Sequence, residues 1–409
     1  MTTSTSRIAL RFVNAGTHAK SVALMKFLSR LAISLGAARH IYVVGGAVRN
    51  FMLDPEGTKF PIKDIDVVLD SVALGKDSDW FAKQIAMNIP VDTNITTNQY
   101  GVAILTVKGE WDLDEIPMKG EVIEIANARK ESYGETGGKG KGYKPTDVQP
   151  ATIEEDVYRR EFTFNTLLWR LLDLAHGPDK AEIIDITGLG KSHLEQKLIH
   201  TPLDPDKTFG DDPTRMLRAI KFLVKYDLEI APAVAASIRQ NAGKMKQMPW
   251  EAVGKILVGD ILNTPSARES LLTMASLGLI DVLAEMIQEQ KPFAAYMAGQ
   301  FSQNRNVGLL LDLADLGLGA RSIEFLTKIQ QIRLREITTP MDRDEASEFF
   351  ALLKKPQVNS MTLIEEFKLE GRERSDISKI AIEAILASPI LAYHPDRLQA
   401  FVRDRLASR

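Results

Sequence analysis

Residues 41–69 read IYVVGGAVRNFMLDPEGTKFPIKDIDVVL, with a short β-branched run at each end and a glycine pair after the first run. The run Ile41–Val44 predicts a strand that the glycine pair ends, after which Ala47–Leu53 can begin a helix. The run Lys63–Leu69 predicts a second strand. This order of strand, turn, helix and strand indicates an α/β unit built on a small sheet.

Further apolar runs at Val102–Val107 and Val122–Ala126 predict a third and a fourth strand. The segment Gly134–Lys144, with five Gly and three Lys, predicts a mobile basic loop outside the core. From about Glu154 onward the apolar spacing is almost wholly helical. The predicted fold class is therefore α+β, with an N-terminal head containing a small mixed sheet, followed by an all-helical neck, body and tail.

The composition excludes several kinds of site. The chain has 409 residues, 44% apolar and 26% charged, which is enough to fold into several domains. It has no Cys, so disulfides, thiolate zinc sites and Cys nucleophiles are excluded, and its six His form neither an HExxH nor a His-Asp pair. Carboxylate-bound metals remain. No apolar run reaches the ~18 residues of a membrane span, so no membrane partner is expected.

Charge is distributed unevenly along the chain. The net charge is −3, yet the first 53 residues contain seven basic residues and no acid. This composition fits either an organellar transit peptide or a basic arm followed by a first helix. The apolar spacing from Val22 to Leu35 is that of a packed amphipathic helix, which favours the arm and helix and a cytoplasmic location.

Two carboxylates, Asp64 and Asp66, lie two residues apart in the second predicted strand. Residues two apart on a strand share a face, so these side chains are expected to project together while Ile65 and Val67 enter the core. Adjacent carboxylates repel each other unless a cation lies between them, and Mg²⁺ prefers such oxygen ligands together with substrate phosphates. The pair is a candidate metal site, and exposed strand-end acids are the alternative.

The glycine pair Gly45 and Gly46 precedes the first predicted helix. Glycines at a strand-to-helix turn let backbone amides approach a phosphate, the helix dipole favours an anion, and Arg49 adds a charged donor. Alone, the pair can be a tight turn. Combined with carboxylates about twenty residues downstream, it is what metal-dependent nucleotidyl transfer requires.

These residues, and the motifs after them, resemble a known family. The glycine pair with Arg49 and the Asp64–Asp66 pair resemble the head of class II tRNA nucleotidyltransferases (CCA-adding enzymes) and the related bacterial poly(A) polymerases, within the polymerase β-like superfamily. Later segments resemble further motifs of that family in the same order: Glu124–Arg129 (EIANAR), Tyr158–Asn165 (YRREFTFN), Asp185–Gly188 and Asp211–Phe222 (DDPTRMLRAIKF). The resemblance implies a polymerase β-like nucleotidyltransferase head over this part of the chain.

The resemblance also implies catalytic roles. Asp64 and Asp66 are expected to hold two Mg²⁺ ions, which act on the RNA 3′-hydroxyl and the nucleotide triphosphate. Glu124 is either a third catalytic acid near the metals or a structural partner for Arg129. Arg159 and Arg160 are helical neighbours, so only one of them is expected to face the nucleotide.

Nucleotide-binding roles are implied for ten residues. Gly45, Gly46, Arg49 and Arg160 are expected near the phosphates, Glu161 by the ribose with Asn165 in the same motif, and Asp212 with Arg215 at the base edge. Arg218 and Lys221 are directed toward the triphosphate and base pocket. The chain departs from the family at Asn50 (usually Asp), Glu161 (Asp), Asp211 (Glu) and Lys221 (Arg). These departures leave the metal pair untouched and indicate a divergent, active member.

The sequence therefore predicts a template-independent RNA nucleotidyltransferase that adds CCA to tRNA, with ATP, CTP and a tRNA or other RNA 3′ end as partners. Poly(A) addition, or addition of only CC or only A, is the alternative. A catalytically dead RNA-binding module is disfavoured because Asp64 and Asp66 are both present. The predicted divisions are an arm and first helix at 1–39, the catalytic head at 40–185, a base-recognising neck at 186–265 and an RNA-binding body and tail at 266–409.

Overall fold

The structure is a computed structural model in which two compact units are distinguished. The first unit comprises residues 1–215 and 225–237, and the second comprises residues 216–224 and 238–409. The described residues are 4–98, 100–132, 147–301, 356–369, 376–378, 380, 381, 384 and 395–407. The predicted loop Gly134–Lys144 lies outside them. The four-part division at 1–39, 40–185, 186–265 and 266–409 stays a prediction.

A six-stranded mixed sheet organises the first unit. Its strand order is β10-β1-β2-β7-β4-β3, and β2 with β7 is its parallel pair. The strands of this sheet are β1 (Ile41–Val44), β2 (Asp66–Leu69), β3 (Thr93–Thr97), β4 (Ala103–Val107), β7 (Val122–Asn127) and β10 (Leu168–Arg170). The short pairs are β5 (Asp112–Leu113) with β6 (Ile116–Pro117), β8 (Arg129–Ser132) with β9 (Asp147–Pro150), and β11 (Leu198–Ile199) with β12 (Glu229–Ile230). The predicted α+β class, with a mixed sheet in the N-terminal head, is confirmed.

The first helix of the first unit, α1, is long. The α-helices are α1 (Ser4–Ser34), α2 (Gly46–Leu53), α3 (Ser71–Leu74), α4 (Ser78–Asn88), α5 (Ile153–Tyr158), α6 (Gly190–Glu195) and α7 (Pro205–Asp211). Short 3₁₀ helices lie at Ala38–His40, Thr163–Asn165, Leu171–His176 and Pro178–Lys180. Within α1, Leu24, Met25 and Leu28 are buried, as their spacing predicts. The amphipathic segment therefore packs as a core helix.

Helix α5 covers one part of the sheet with an apolar cluster. Ile153 and Val157 of α5 pack with Val44, Val68 and Leu168 from three adjacent strands. The N-terminus of α5 is closed by a capping box in which the Thr152 hydroxyl accepts the amide of Glu155. Through these contacts, α5 packs against both β2, which carries Asp66, and β10, which follows α5 in the chain.

The prediction that Lys63–Leu69 forms one strand is wrong at its start. Strand β2 begins at Asp66, whose partner on β1 is Val44. After Val44 the chain turns at Gly45, with φ of 67°, so residues 63–65 have no β1 residue beside them to pair with. Asp64 therefore precedes the strand, whereas Asp66 is its first residue.

The prediction that the chain is helical beyond Glu154 also needs correction. Strand β10 pairs antiparallel with β1, from Tyr42 opposite Arg170 to Val44 opposite Leu168. A strand of three residues is too short for an alternation of apolar and polar side chains to be recognised in the sequence. β3 was not predicted either, because its sequence TNITT is polar.

The second unit is helical in the part of the chain that the structure describes. Its elements include the 3₁₀ turn Ala242–Gln247, α10 (Trp250–Gly254), a π-helix at Lys255–Leu262, α11 (Ala267–Ser276), α12 (Leu279–Glu289), α13 (Lys291–Phe301) and the helices Ser360–Phe367 and Pro395–Ala407. α8 (Thr214–Tyr226) and α9 (Pro232–Asn241) contribute residues to both units. Among the described helices none alone is long and apolar enough to cross a membrane, although the bent pair Glu269–Ser276 and Leu279–Glu289 passes that test jointly.

Candidate active site

A cavity of about 380 Å³ opens in the first unit beside the start of α2. Four residues singled out in the sequence line it, namely Gly46, Arg49, Asp64 and Asp66. The rest of its lining is Ala47, Asn50, Lys59, Phe60, Pro61, Ile62, Lys63 and Lys225. The fold therefore brings the glycine turn and the carboxylate pair to one cavity.

The glycine turn depends on a backbone conformation that other residues rarely adopt. Gly45 has φ of 67° and ψ of −115°, and its amide donates to the Leu167 carbonyl at 3.0 Å. A Cβ at this position would lie 3.5 Å from Nη1 of Arg160. The positive φ of Gly45 thus sets the turn into α2, Arg160 lies beside this turn, and Gly46 begins the helix.

Three carboxylates are arranged around the start of β2. Glu124 lies directly beside Asp66 on the parallel strand β7, and Asp64 lines the same cavity as Asp66. Asp66 keeps solvent-exposed surface toward the cavity, while other parts of its side chain lie close to protein. Burial raises the pKa of Asp66; the charge of Arg160 opposes this, and Glu124 and Asp64 add to it. A cation at this position would relieve that repulsion.

The position of Glu124 bears on the two roles considered for it. Paired residues on adjacent strands project from the same face, so Glu124 projects beside Asp66. Arg129 instead forms an ion pair with Glu131, with Nη2 to Oε1 at 2.8 Å. This arrangement favours the third acid over the structural partner of Arg129.

The donor set fits Mg²⁺ bound together with a phosphate ligand. Among the described residues, no three His, Asp or Glu side chains converge closely enough to bind a metal on their own. Mg²⁺ is typically held by one or two carboxylates, with phosphate oxygens and water completing six ligands. Asp64 and Asp66 on one cavity wall supply such a pair of hard oxygen ligands.

Arg49 is buried and held by polar groups from distant parts of the chain. Its Nη1 donates to Oδ1 of Asn165, and its Nη2 donates to the Tyr226 hydroxyl at 2.7 Å and to Oδ1 of Asn50 at 2.9 Å. Burial lowers the pKa of Arg49, and the contact with Tyr226 and the charges of Glu161 and Asp66 oppose that effect. The side chain is therefore oriented before any ligand binds.

Arg159 and Arg160 are organised by one buried carboxylate. Asp156 accepts from Nη2 of Arg159 at 2.8 Å with Oδ1 and from Nη2 of Arg160 at 2.8 Å with Oδ2. Arg159 also donates from Nε to the Arg129 carbonyl at 3.0 Å, whereas Arg160 lies against Gly45. Arg160 is thus the one beside the glycine turn, and contact of either arginine with a nucleotide stays a prediction.

The remaining predicted residues of the first unit form two groups. Glu161 accepts from Nδ2 of Asn165 at 3.0 Å, which links it to Arg49. Asp212 accepts the amide of Thr214 at 2.9 Å at the start of α8 and lies 4.0 Å from Nε of Arg215. Arg215 is buried and donates to the carbonyls of Thr208 and Arg159. Nucleotide contact by all of these residues stays a prediction.

Two predicted residues belong to the second unit. Lys221 forms an ion pair with Asp260, with Nζ to Oδ2 at 3.0 Å. Arg218 is half-buried on the same helix. Their predicted direction toward a nucleotide stays untested.

Sequence reasoning missed several residues of this site. Lys59, Lys63 and Lys225 line the cavity, which places three further cations beside the carboxylate pair. Lys63 adjoins Asp64, so it could have been noticed from the sequence. Tyr226 and Lys225 carry no local signal, because they reach the site from about 175 residues beyond Arg49.

The chain is similar to a family of known proteins and to several individual proteins. Residues 41–200 match the family described as the Poly A polymerase head domain. The tRNA nucleotidyltransferase cca2 of Schizosaccharomyces pombe is 35% identical over 175 residues, which are 42% of this chain and 33% of that protein. The A-adding tRNA nucleotidyltransferase of Aquifex aeolicus is 30% identical over 210 residues, which are 51% of this chain and 21% of that protein.

The chain therefore spans a third or less of the length of these two relatives. A solved complex of a CCA-adding enzyme with CTP has the same fold at a TM-score of 0.50 and 20% identity, covering 95% of this chain and 94% of that one. The strand β1, the glycine turn, the carboxylates and the Arg160 motif all lie within the family match. Residues 41–200 are thus similar to the Poly A polymerase head domain.

Proposed function

We propose that this protein is a template-independent RNA nucleotidyltransferase that adds CCA to tRNA 3′ ends from CTP and ATP. The observation that carries the proposal is the shared cavity in which Asp64 and Asp66 face the glycine turn and Arg49. The head-domain match and the similarity to two tRNA nucleotidyltransferases support it.

The reaction joins the RNA 3′-oxygen to the α-phosphorus of the nucleotide. The 3′-hydroxyl loses its proton, a new P–O bond forms in line, and the bond from the α-phosphorus to the bridging oxygen breaks, so pyrophosphate leaves. Two Mg²⁺ ions held by Asp64 and Asp66 would stabilise the attacking and leaving oxygens. Glu124, beside Asp66, strengthens the negative field that draws the cations in.

The cationic part of the cavity suits the triphosphate. The amides at the start of α2 and the guanidinium of Arg49 are hydrogen-bond donors for phosphate oxygens, and Arg160 lies against the same turn. Glu161 is proposed to contact the ribose. Asp212 and Arg215 are proposed to read the base edge, since a carboxylate acceptor and a guanidinium donor can pair with cytosine or adenine.

Addition of A alone is the second candidate. The alignment with the A-adding enzyme of Aquifex aeolicus is longer than that with cca2, 210 against 175 residues. The same head chemistry serves C addition, A addition and poly(A) synthesis, because the reacting atoms are identical. Base choice and the point at which addition stops therefore distinguish these activities.

A primer-extension assay separates the candidates. The protein is incubated with Mg²⁺ and each labelled nucleoside triphosphate, using tRNAs that end before CCA, after C and after CC, beside an unstructured RNA. Addition of C, C and A with a sharp stop supports the CCA proposal. A added only to tRNA ending in CC indicates an A-adding specialist, C added twice without A indicates a CC-adding one, and long A tracts on any RNA indicate a poly(A) polymerase.

A carboxylate variant tests the site itself. Asp64→Asn/Asp66→Asn is expected to abolish addition while RNA binding persists. The control is Asp112→Asn/Asp114→Asn, because this exposed pair on the β5–β6 hairpin has the same spacing and lies outside the cavity. Addition at the wild-type rate by the first variant, or equal loss in both, contradicts the assignment.

A further inference from the structure

Tyr226 at the end of α8 is buried against Arg49. Its hydroxyl accepts a hydrogen bond from Nη2 of Arg49 at 2.7 Å and donates one to Oδ1 of Asn50 at 3.0 Å. The guanidinium carbon of Arg49 also lies 4.5 Å from the centroid of the Tyr226 ring. One side chain thus contacts the cation through both its ring and its hydroxyl, which restricts how the guanidinium can rotate.

Neighbouring groups fix Tyr226 and Asn50, which are two of the partners of Arg49. The Phe60 ring packs on Tyr226 with 4.9 Å between ring centroids. Asn50 donates from Nδ2 to the Pro61 carbonyl at 3.0 Å, so its Oδ1 must face Arg49, where it accepts from Nε at 3.2 Å and Nη2 at 2.9 Å. Both Phe60 and Pro61 line the cavity that holds Asp64 and Asp66.

Three uncharged acceptors orient the guanidinium of Arg49. The Tyr226 hydroxyl and the amide oxygens of Asn50 and Asn165 are neutral. An Asp at position 50 would pair with the charge of Arg49 and would place a carboxylate oxygen against the Pro61 carbonyl. The Tyr226 hydroxyl and the Asn50 amide oxygen instead fix the direction of the guanidinium, which lines the cavity.

We propose that Tyr226, acting with Asn50, is a positioning residue that orients Arg49 toward the phosphates of the incoming nucleotide. This inference rests on the proposed function, because the anion is taken to be a nucleoside triphosphate. Tyr226 does not touch the reacting atoms. It acts through the direction in which Arg49 presents its N–H groups.

The test compares two tyrosine hydroxyls. Tyr226→Phe keeps the ring and the packed volume but removes the hydroxyl between Arg49 and Asn50. Tyr42→Phe is the matched control, because Tyr42 is a buried tyrosine of the sheet core that hydrogen-bonds another arginine, Arg170, outside the cavity. Thermal unfolding of both variants checks that the loss of a hydroxyl has comparable structural consequences.

Binding of α,β-methylene CTP and α,β-methylene ATP in Mg²⁺ is measured by calorimetry without RNA, and kcat and KM are measured with tRNA. Tyr226→Phe is expected to raise the Kd and KM for nucleotide about 10-fold, the range of one hydrogen bond to a charged group, with the KM for tRNA unchanged. Tyr42→Phe is expected to leave all of these constants within about 2-fold of wild type.

A second comparison, made in the Arg49→Met variant, tests whether Tyr226 acts through Arg49. In Arg49→Met, the added change Tyr226→Phe is expected to alter the nucleotide Kd by less than about 2-fold, because the residue through which Tyr226 acts is gone. Equal losses in both backgrounds, or an unchanged Kd in Tyr226→Phe, overturn the positioning role. A wild-type protein that binds the analogues but adds nothing to RNA contradicts the proposed function alone, whereas one that binds neither analogue contradicts both.

Discussion

Asp156→Asn is expected to destabilise the first unit more than any surface charge change. The Asp156 side chain has no solvent exposure and holds both Arg159 and Arg160 at 2.8 Å. Its Oδ1 also accepts the backbone amide of Arg129 at 3.2 Å. An amide in its place removes the charge and turns an N–H group toward a guanidinium, which leaves buried donors facing each other.

The size of the loss follows from burial. Removing one partner of a buried ion pair costs about 3–5 kcal/mol. The arginine side chains keep 25% and 15% of their exposure, so water can partly replace the carboxylate and the lower limit, about 3 kcal/mol, is expected. For a unit of this size that loss corresponds to a fall of roughly 6–12 °C in Tm.

Scanning calorimetry of the full chain measures the change. The control is Asp79→Asn, which removes an exposed ion pair with Lys83 at 2.6 Å and is expected to leave Tm nearly unchanged. If Asp156→Asn lowers Tm by no more than Asp79→Asn does, the buried carboxylate contributes nothing and the reasoning is refuted. Loss of nucleotide affinity should accompany the fall in Tm, because Arg160 loses the group that orients it.

The effect of Asp156→Asn on Tm is expected to depend on pH. Burial by itself raises the pKa of Asp156, but the ion pairs with Arg160 and Arg159 outweigh it and hold the pKa below its ordinary value of 3.8. A lowered pKa in the folded state means that the carboxylate stabilises the fold above pH 3.8 and loses this contribution as the pH falls through the folded value. The Tm difference between wild type and Asp156→Asn should therefore be full at neutral pH and shrink below pH 3.8.

Three further changes have expected outcomes. Asp66→Asn should raise the Tm of the metal-free protein at pH 7, because burial and Glu124 raise the pKa of Asp66 and its ionised form therefore destabilises the fold. This gain in Tm should vanish below pH 3.8, and calorimetry at several pH values measures both effects. The same variant should slow addition on the order of 10³-fold in single-turnover assays, as several kcal/mol of metal stabilisation are lost. Gly45→Ala should cost about 1–3 kcal/mol by urea unfolding because of its φ of 67°, whereas Gly16→Ala, at an exposed position of α1, should stabilise the fold. Arg215→Ala should relax the choice of C over U in competition assays; unchanged selectivity would confine Arg215 to its contacts with backbone carbonyls.

The local elements around the site could be predicted from the sequence. Ile41–Val44 is a strand, and α2 follows the glycine pair. Strands β4 and β7 begin at Ala103 and Val122, close to the starts predicted for them. These predictions succeed because β-branched runs and glycine breaks act over a few residues. The placement of Asp64 within the strand failed because a strand needs a partner, and β1 ends opposite Asp66.

The burial of Asp156 is a second feature that the sequence does not predict. It ends the acidic run Glu154-Glu155-Asp156 at the start of α5, where acids usually face water and favour the helix dipole. Its neighbours Glu154 and Glu155 are exposed, as that pattern predicts. Only the packing of α5 against the sheet turns Asp156 inward, where its carboxylate gathers two arginines.

The sequence by itself determined the short-range parts of this protein: the glycine turn, the spacing of Asp64 and Asp66, the arginine pair and the α+β class. Those features depend on backbone conformation and periodicity within a few residues. The tertiary structure alone decided that Glu124 lies beside Asp66, that Lys225 lines the cavity and that Tyr226 holds Arg49. Such contacts join residues 58 to 177 positions apart, and they form because strand pairing and helix packing, rather than local propensity, bring those side chains together.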